Sequence, residues 1–570
     1  MNGLVMLIIA AAVLIAAYVF YGRWLAKKWG IDPRKKTPAH EFEDGMDYVP
    51  TKPSVVFGHE FASIAGAGPI NGPIQAAMFG WLPVLLWILI GGIFFGAVQD
   101  FSALYASVKN KGKTVGYIIE SYIGQTGKRL FLLFVWLFSI LVIAAFADIV
   151  AGTFGGFNAE GARVTANGSV ATTSTLFIVV AVGLGFFIRK VKPSGLLSGA
   201  VAVALLAVCI GLGLLAPVFV AKNIWLYIVF AYIFIASVTP VWALLQPRDY
   251  LNSFLLVAMI IGAFIGVVFS APDINIPAFT SFAITGAGGS VSYLFPILFV
   301  TVACGAVSGF HSLVASGTAS KQIDNERHML PISFGARLVE SFLAVLALIA
   351  VGSLAINGKL PAGTPPQIFA SAIAGFLTKI GLPETIVFTL ITLSVSAFAL
   401  TSLDSVARVG RLAFQELFTE DLKAGQSPSG ISVVLSNKYV ATIATLILGY
   451  LLAILGYASI WPLFGSANQL LAALSLIACA VFLKKTNRQG IMLWLPMFIM
   501  LAVTFTALVF TIRDKGGKLF NGTFNFGLDF LQLIFATLLL GLGIMVAVSG
   551  VSKLLEKEKP ETRRKKGIAA

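Results

Sequence analysis

Apolar stretches of about 20 residues recur along the whole chain, separated by short polar segments. Stretches of that length predict membrane-spanning helices, because they match the hydrocarbon thickness at 1.5 Å of rise per residue. The two-residue alternation of a membrane barrel is absent. Fifteen spans are predicted, at 3–21, 54–78, 81–107, 128–154, 173–189, 195–219, 223–246, 250–270, 292–318, 336–357, 385–407, 439–456, 461–483, 490–512 and 529–551. No connecting loop is long enough for a folded soluble domain. The segment 22–53 is expected to lie along the cytoplasmic surface, and "KLPAGTPPQIFASAIAGFLTKIGLP" after Gly358 to hold an external amphipathic helix. The N-terminus has no basic residue ahead of its apolar run, so 3–21 is expected to be a retained helix rather than a cleaved leader.

Composition agrees: 58% of residues are hydrophobic and 11% charged, against about half and a quarter in soluble domains. The net charge of +15 would suit nucleic acid were it clustered on a folded domain. Instead all 40 Lys and Arg fall in loops or at predicted helix ends. Numbering loops alternately, 33 lie on one side and seven on the other, which sets the N-terminus outside and the C-terminus in the cytoplasm. Nucleic acid is therefore excluded as a partner, and the lipid bilayer takes its place. Cys209, Cys304 and Cys479 each sit inside an apolar span and read as small buried hydrophobes.

Two spans carry helix breakers near their middles. In "FGHEFASIAGAGPINGPIQ", span 2 holds Gly66, Gly68, Pro69, Gly72 and Pro73. Each proline removes a donor and each glycine weakens the helix. A kink packed on a neighbour would need fewer breakers. A discontinuous helix, whose freed backbone binds substrate or ion, accounts for all five. Five spans later "YIFIASVTPVWALLQPRDYL" is interrupted at Ser237–Pro240, in the opposite orientation. Paired breaks at corresponding places in two halves point to a transporter's binding site. The expected division is 1–53 as an extra helix and basic loop, 54–219 and 220–410 as two inverted five-helix repeats, and 411–570 as additional helices with a basic tail.

Ionisable groups inside spans are the remaining candidates. Span 9, "LFPILFVTVACGAVSGFHSLVASGTASKQ", reads as one helix rich in small and hydroxyl residues (Ser308, Ser312, Ser316, Thr318) with His311 at its centre. An imidazole carries a proton near neutral pH, although a buried histidine also serves as a plain hydrogen-bonding partner. Asp100 falls in span 3. Asp404 has Arg408 one turn on, a spacing for a helical ion pair that acts as a gate latch or a structural tie. Asp148 and Glu340 lie near span ends and read as interfacial, and Asn468 and Gln469 as glue between helices. No phosphate-binding loop, HExxH or CxxC occurs, so neither an enzyme nor a resident metal or cofactor is expected. Uphill transport would then draw on an ion gradient.

The segments "DGMDYVPTKPSVVFGHEFASIAGAGPINGP", "VWALLQPRDYL", "CGAVSGFHSLVASGTASKQ", "FALTSLDSVARVGR" and "WPLFGSANQLLAALSL" resemble the carbon starvation protein A family, over roughly residues 45–485. The resemblance implies an all-α polytopic protein with the five-plus-five inverted-repeat, LeuT-like core, in a bacterial-type cytoplasmic membrane. It implies uptake of short peptides or proton-coupled uptake of pyruvate. Carried over by position, Ala67, Gly68 and Pro69 would meet substrate, with Thr239 and Trp242 from span 7 and Ser308 and His311 from span 9. His59, Glu60, Asp100, His311, Ser312, Ser316 and Thr318 would serve ion coupling. Many members have two histidines where this chain has His59–Glu60. The expectation is a secondary active importer of a small carboxylate-bearing nutrient driven by protons. Sodium coupling and a non-transporting nutrient sensor are the alternatives.

Overall fold

A computed structural model describes residues 1–45, 47–158, 160–191, 195–239, 244–285, 291–419 and 430–556. Within them the chain is almost entirely helical. Eleven helices are long and apolar enough to cross a membrane, and Lys222–Val238 and Lys438–Ala453 are shorter apolar helices. The two remaining predicted spans, 2 and 9, are present in pieces. Apart from the helices, a small antiparallel hairpin pairs Ala283–Thr285 with Val291–Tyr293. The sequence reading did not include it.

Span 2 consists of Pro53–Ile64 and Gly68–Ala76, with Ala65 to Ala67 non-helical or capping between them. Pro69 begins the second piece at a position whose amide would have no intrahelical acceptor anyway, so it starts that helix without strain. Span 9 is broken twice. Its pieces are Leu294–Thr301, Ala303–Ala306 and Gly309–Gly317, with extended backbone at Val307 and Ser308. This corrects the expectation of one continuous small-residue helix.

Span 7 stops at Val238 with Thr239 extended, and residues 240–243 lie outside the described residues. It is span 9 whose break packs on span 2. A Cβ added at Gly68 would lie 2.5 Å from Cys304 Sγ, and one at Gly72 would lie 2.7 Å from the Thr301 carbonyl. Small residues let the two unwound backbones meet. The elements that follow each broken span match as well. Spans 3 and 4 (Trp81–Lys109 and Gln125–Phe154) are joined through the short helix Val115–Tyr122. Spans 10 and 11 (Glu326–Leu354 and Glu384–Thr419) are joined through Pro365–Thr378. Spans 4 and 11 then pack along each other.

Pro365–Thr378 is the helix expected after Gly358, opened by a Thr364–Gln367 capping box. It is wedged against spans 2, 8, 10 and 11, with Phe369, Ile373 and Ala374 fully buried. The segment before span 2 is strapped across the span 9–10 connection. Val49 and Thr51 amides donate to Lys321 and Gln322 carbonyls, and the Asp32 amide donates to Glu326 at 2.9 Å.

Span 13 (Tyr457–Lys485) runs through the middle of the bundle. Gly465 abuts the Val300 carbonyl so closely that an added Cβ would collide with it. Gly465→Ala is expected to destabilise the protein by about 1–3 kcal/mol through overpacking. The check is the thermal unfolding midpoint in detergent, and an unchanged midpoint would contradict the close approach.

Candidate functional site

Where the breaks of spans 2 and 9 meet there is a cavity. It is lined by Ile64, Gly66 and Gly68 of span 2, and by Cys304, Ser308 and Phe310 of span 9. Phe138, Val142 and Phe146 of span 4, Ser402 and Val406 of span 11, and Phe464 and Asn468 of span 13 complete the wall. Two helix N-termini, at Gly68 and Gly309, open at this place. Among the described residues neither the Ala67 nor the Gly68 amide has a backbone acceptor. Such termini attract anions, since their amides point outward and the helix dipole is positive there. The wall is otherwise apolar and aromatic, its polar side chains are Ser308, Ser402 and Asn468, and no charged residue contributes.

Beside the cavity lies a fully buried charged group. His311 Nδ1 is 2.8 Å from Asp100 Oδ2, and its Nε2 is 3.4 Å from Glu340 Oε2. Arg337 Nη1 donates to Glu340 Oε2 at 2.5 Å and lies 3.4 Å from His311 Nδ1. Each of these four side chains is at most 1% exposed. Glu60 lies within electrostatic reach of Asp100, and its Oε2 has no hydrogen-bond partner among the described residues. Gln99 joins this group to the cavity. With its amide oriented by its neighbours, the nitrogen donates to Asp100 Oδ1 and to the Ser308 carbonyl, each at 2.9 Å.

The structure therefore brings Gly68 and Ser308 to the cavity, with Ala67 and Pro69 in and next to the span 2 break. It gathers Glu60, Asp100 and His311 one layer away. His59 is only half-buried, and its carbonyl accepts from Ser63. The hydroxyls of Ser312, Ser316 and Thr318 donate to carbonyls of their own helix, those of Gly309, Ser312 and Val314. Ser312 also meets the Ser475 hydroxyl of span 13 at 2.7 Å, and Ser316 accepts the Val115 amide at 3.2 Å. Thr318 is exposed. Thr239 is not in the cavity wall: its hydroxyl donates to the Ile235 carbonyl at 2.6 Å. Trp242 lies outside the described residues.

The expected Asp404–Arg408 pair is replaced by other partners. Asp404 is ion-paired with Arg248 of span 8 and accepts from Tyr232 at 2.8 Å. Arg408 instead donates to the carbonyls of Ala236 and Thr239. The end of span 7 leaves those acceptors orphaned, and satisfying them outweighs a helical pair of a few tenths of a kcal/mol.

Four contributors escaped the sequence reading. Arg337 and Glu340 were assigned to a helix end, yet span 10 extends back to Glu326 and both are buried. Their three-residue spacing, with opposite charges, was the available signal. Gln99 adjoins Asp100 in an apolar run. Asn468 was taken as glue, and it is also cavity wall. Asp148, the other acid set aside, pairs with Lys222 at 2.7 Å and accepts the Tyr457 amide.

The sequence matches the family model described as "Carbon starvation protein CstA" over residues 2–362 and 357–507. It is 32% identical to a protein named peptide transporter CstA from Bacillus subtilis (strain 168), over 99% of this chain and 99% of that one. It is 32% identical to a pyruvate/proton symporter, BtsT, of Escherichia coli (strain K12), over 85% of this chain and 78% of that one. A solved manganese transporter from Eremococcus coleocola has a similar backbone, with a TM-score of 0.48 and 12% identity, covering 88% of this chain and 95% of that one.

Proposed function

This chain belongs to the carbon starvation protein CstA family, and from that premise we propose that it is a proton-driven importer of a small carboxylate-bearing nutrient. The observation that carries this reading is the cavity between two helix breaks, with helix N-termini at Gly68 and Gly309 and a buried acid–histidine group next door. A substrate carboxylate takes the amides of Ala67 and Gly68 and the hydroxyls of Ser308 and Ser402. The aromatic wall covers the remainder. The wall holds no acid to pair with an ammonium, which favours pyruvate over a zwitterionic peptide.

Coupling falls to Asp100, His311, Glu340 and Glu60. Among the described residues Arg337 is the one permanent cation beside these three carboxylates, so full ionisation leaves uncompensated negative charge in a dry interior. That state is costly, and binding a proton relieves it. Sodium has less support, because the Ser316 hydroxyl oxygen already accepts the Val115 amide and the Ser312 hydroxyl meets that of Ser475 at 2.7 Å. We assign the second repeat to begin at span 9, near residue 294, instead of 220. The N-terminus is outside and the C-terminus cytoplasmic, in a bacterial-type cytoplasmic membrane.

The test is uptake by proteoliposomes holding the purified full-length chain, acidic outside. Labelled pyruvate is expected to accumulate above the level reached without a gradient, and an imposed sodium gradient at equal pH to have no effect. Failure of pyruvate with accumulation of a dipeptide would move the substrate to peptides. Accumulation that follows sodium and ignores pH would overturn the coupling.

A further inference from the structure

Span 13, expected to be an addition to the core, splints the break in span 9. Trp461 Nε1 donates to the Thr301 carbonyl at 3.2 Å and Gln469 Nε2 to the Phe299 carbonyl at 2.6 Å. Beyond the break, Ser475 and Ser312 hydroxyls are 2.7 Å apart. Gly309 lies against the backbone of Asn468 and Ala472 so tightly that no Cβ would fit. Of these contacts Asn468 is the one that also forms cavity wall.

Asn468 Oδ1 accepts the Phe310 amide at 3.1 Å, while its Nδ2 donates to Ser308 Oγ at 3.1 Å and lies 3.4 Å from Cys304 Sγ. It thus caps the Gly309–Gly317 helix from a different span. Asn and Asp cap about equally well, and a negative charge at a helix N-terminus is the more stabilising choice. The chain nevertheless carries the neutral residue where the cap faces a cavity. Across from it the Ser402 hydroxyl, 4% exposed, lines the same cavity and has no hydrogen-bond partner among the described residues. That hydroxyl is a donor left for a ligand.

We propose that Asn468 sets the charge selectivity of the cavity: a cap without charge holds the helix in place and leaves its positive end available to a carboxylate. This rests on the reading of the cavity as a carboxylate site. An aspartate there would keep the cap geometry and put a like charge on the wall, in a water-poor site where Coulomb repulsion is poorly screened.

The experiment compares wild type, Asn468→Asp and Asn468→Ser in pyruvate uptake by proteoliposomes across pH, with thermal midpoints in detergent. Asn468→Asp is expected to raise the KM for pyruvate about tenfold or more at pH 7.5. Its maximal rate and thermal midpoint stay near wild type, and the KM ratio to wild type shrinks as acid neutralises the new carboxyl. Asn468→Ser, neutral but too short to reach the Phe310 amide, is expected to lower the thermal midpoint and to show a KM ratio to wild type that does not change with pH. An unchanged KM in Asn468→Asp, a ratio flat with pH in that variant, or the same pH dependence in Asn468→Ser would overturn the assignment. Absence of pyruvate uptake by wild type would instead overturn the functional reading on which it stands.

Discussion

His311→Gln is expected to abolish accumulation of substrate against its gradient while sparing exchange of labelled for unlabelled substrate. An imidazole can take up or release a proton at either ring nitrogen, and His311 sits between two carboxylates. It touches Asp100 through Nδ1 and faces Glu340 through Nε2. Glutamine has a similar reach and hydrogen-bonding capacity, and it cannot take up a proton. The cavity wall does not include His311, so the binding step should survive. The expected magnitudes are exchange within about twofold of wild type and accumulation reduced by at least about tenfold, the order expected of lost general acid–base function. Parallel counterflow and gradient-driven time courses in proteoliposomes measure both. Wild-type accumulation in the variant would remove His311 from coupling.

Arg337→Met is expected to be the most destabilising single change in the group. The guanidinium is 0% exposed, is bonded to Glu340 and lies next to His311. Removing it leaves Glu340 and Asp100 buried with no permanent counter-charge, a loss of about 3–5 kcal/mol for a broken buried pair. Replacing both members, Arg337→Met with Glu340→Met, removes the stranded charge as well and should recover most of that stability. Thermal midpoints and yields of folded protein in detergent report on the cycle. A double variant no more stable than Arg337→Met would show that packing, not charge, dominates there. Neither variant is expected to sustain pH-driven uptake.

Much of this arrangement is written in local chemistry. The positions of the spans follow from hydropathy alone, because a backbone in lipid must satisfy its own hydrogen bonds within each helix. The break in span 2 is equally legible, since Gly66, Gly68, Pro69, Gly72 and Pro73 act on the helix that contains them. The break in span 9 is not: "CGAVSGF" is apolar and contains no proline, and only Gly305 and Gly309 weaken it. What holds that backbone open is Trp461, Asn468 and Gln469, more than 150 residues away in the chain.

Charge was misleading for the same reason. Lys and Arg were all placed in loops or at helix ends, yet Arg248 and Arg337 are at most 1% exposed. Asp404 and Arg408 have the spacing of a pair, but the structure offers Arg248 to one and the open end of span 7 to the other. Sequence by itself determined the class of protein, the apolar segments that form its long helices, one of the two breaks, and the placing of Asp100 and His311 within apolar segments. Each of these depends on interactions within a few residues of chain. Only the tertiary structure decided that span 9 answers span 2, that span 13 supplies the cap, and that Arg337 and Glu340 close the group around His311. Those outcomes depend on which distant helices meet, and close packing and the pairing of buried charges select them globally.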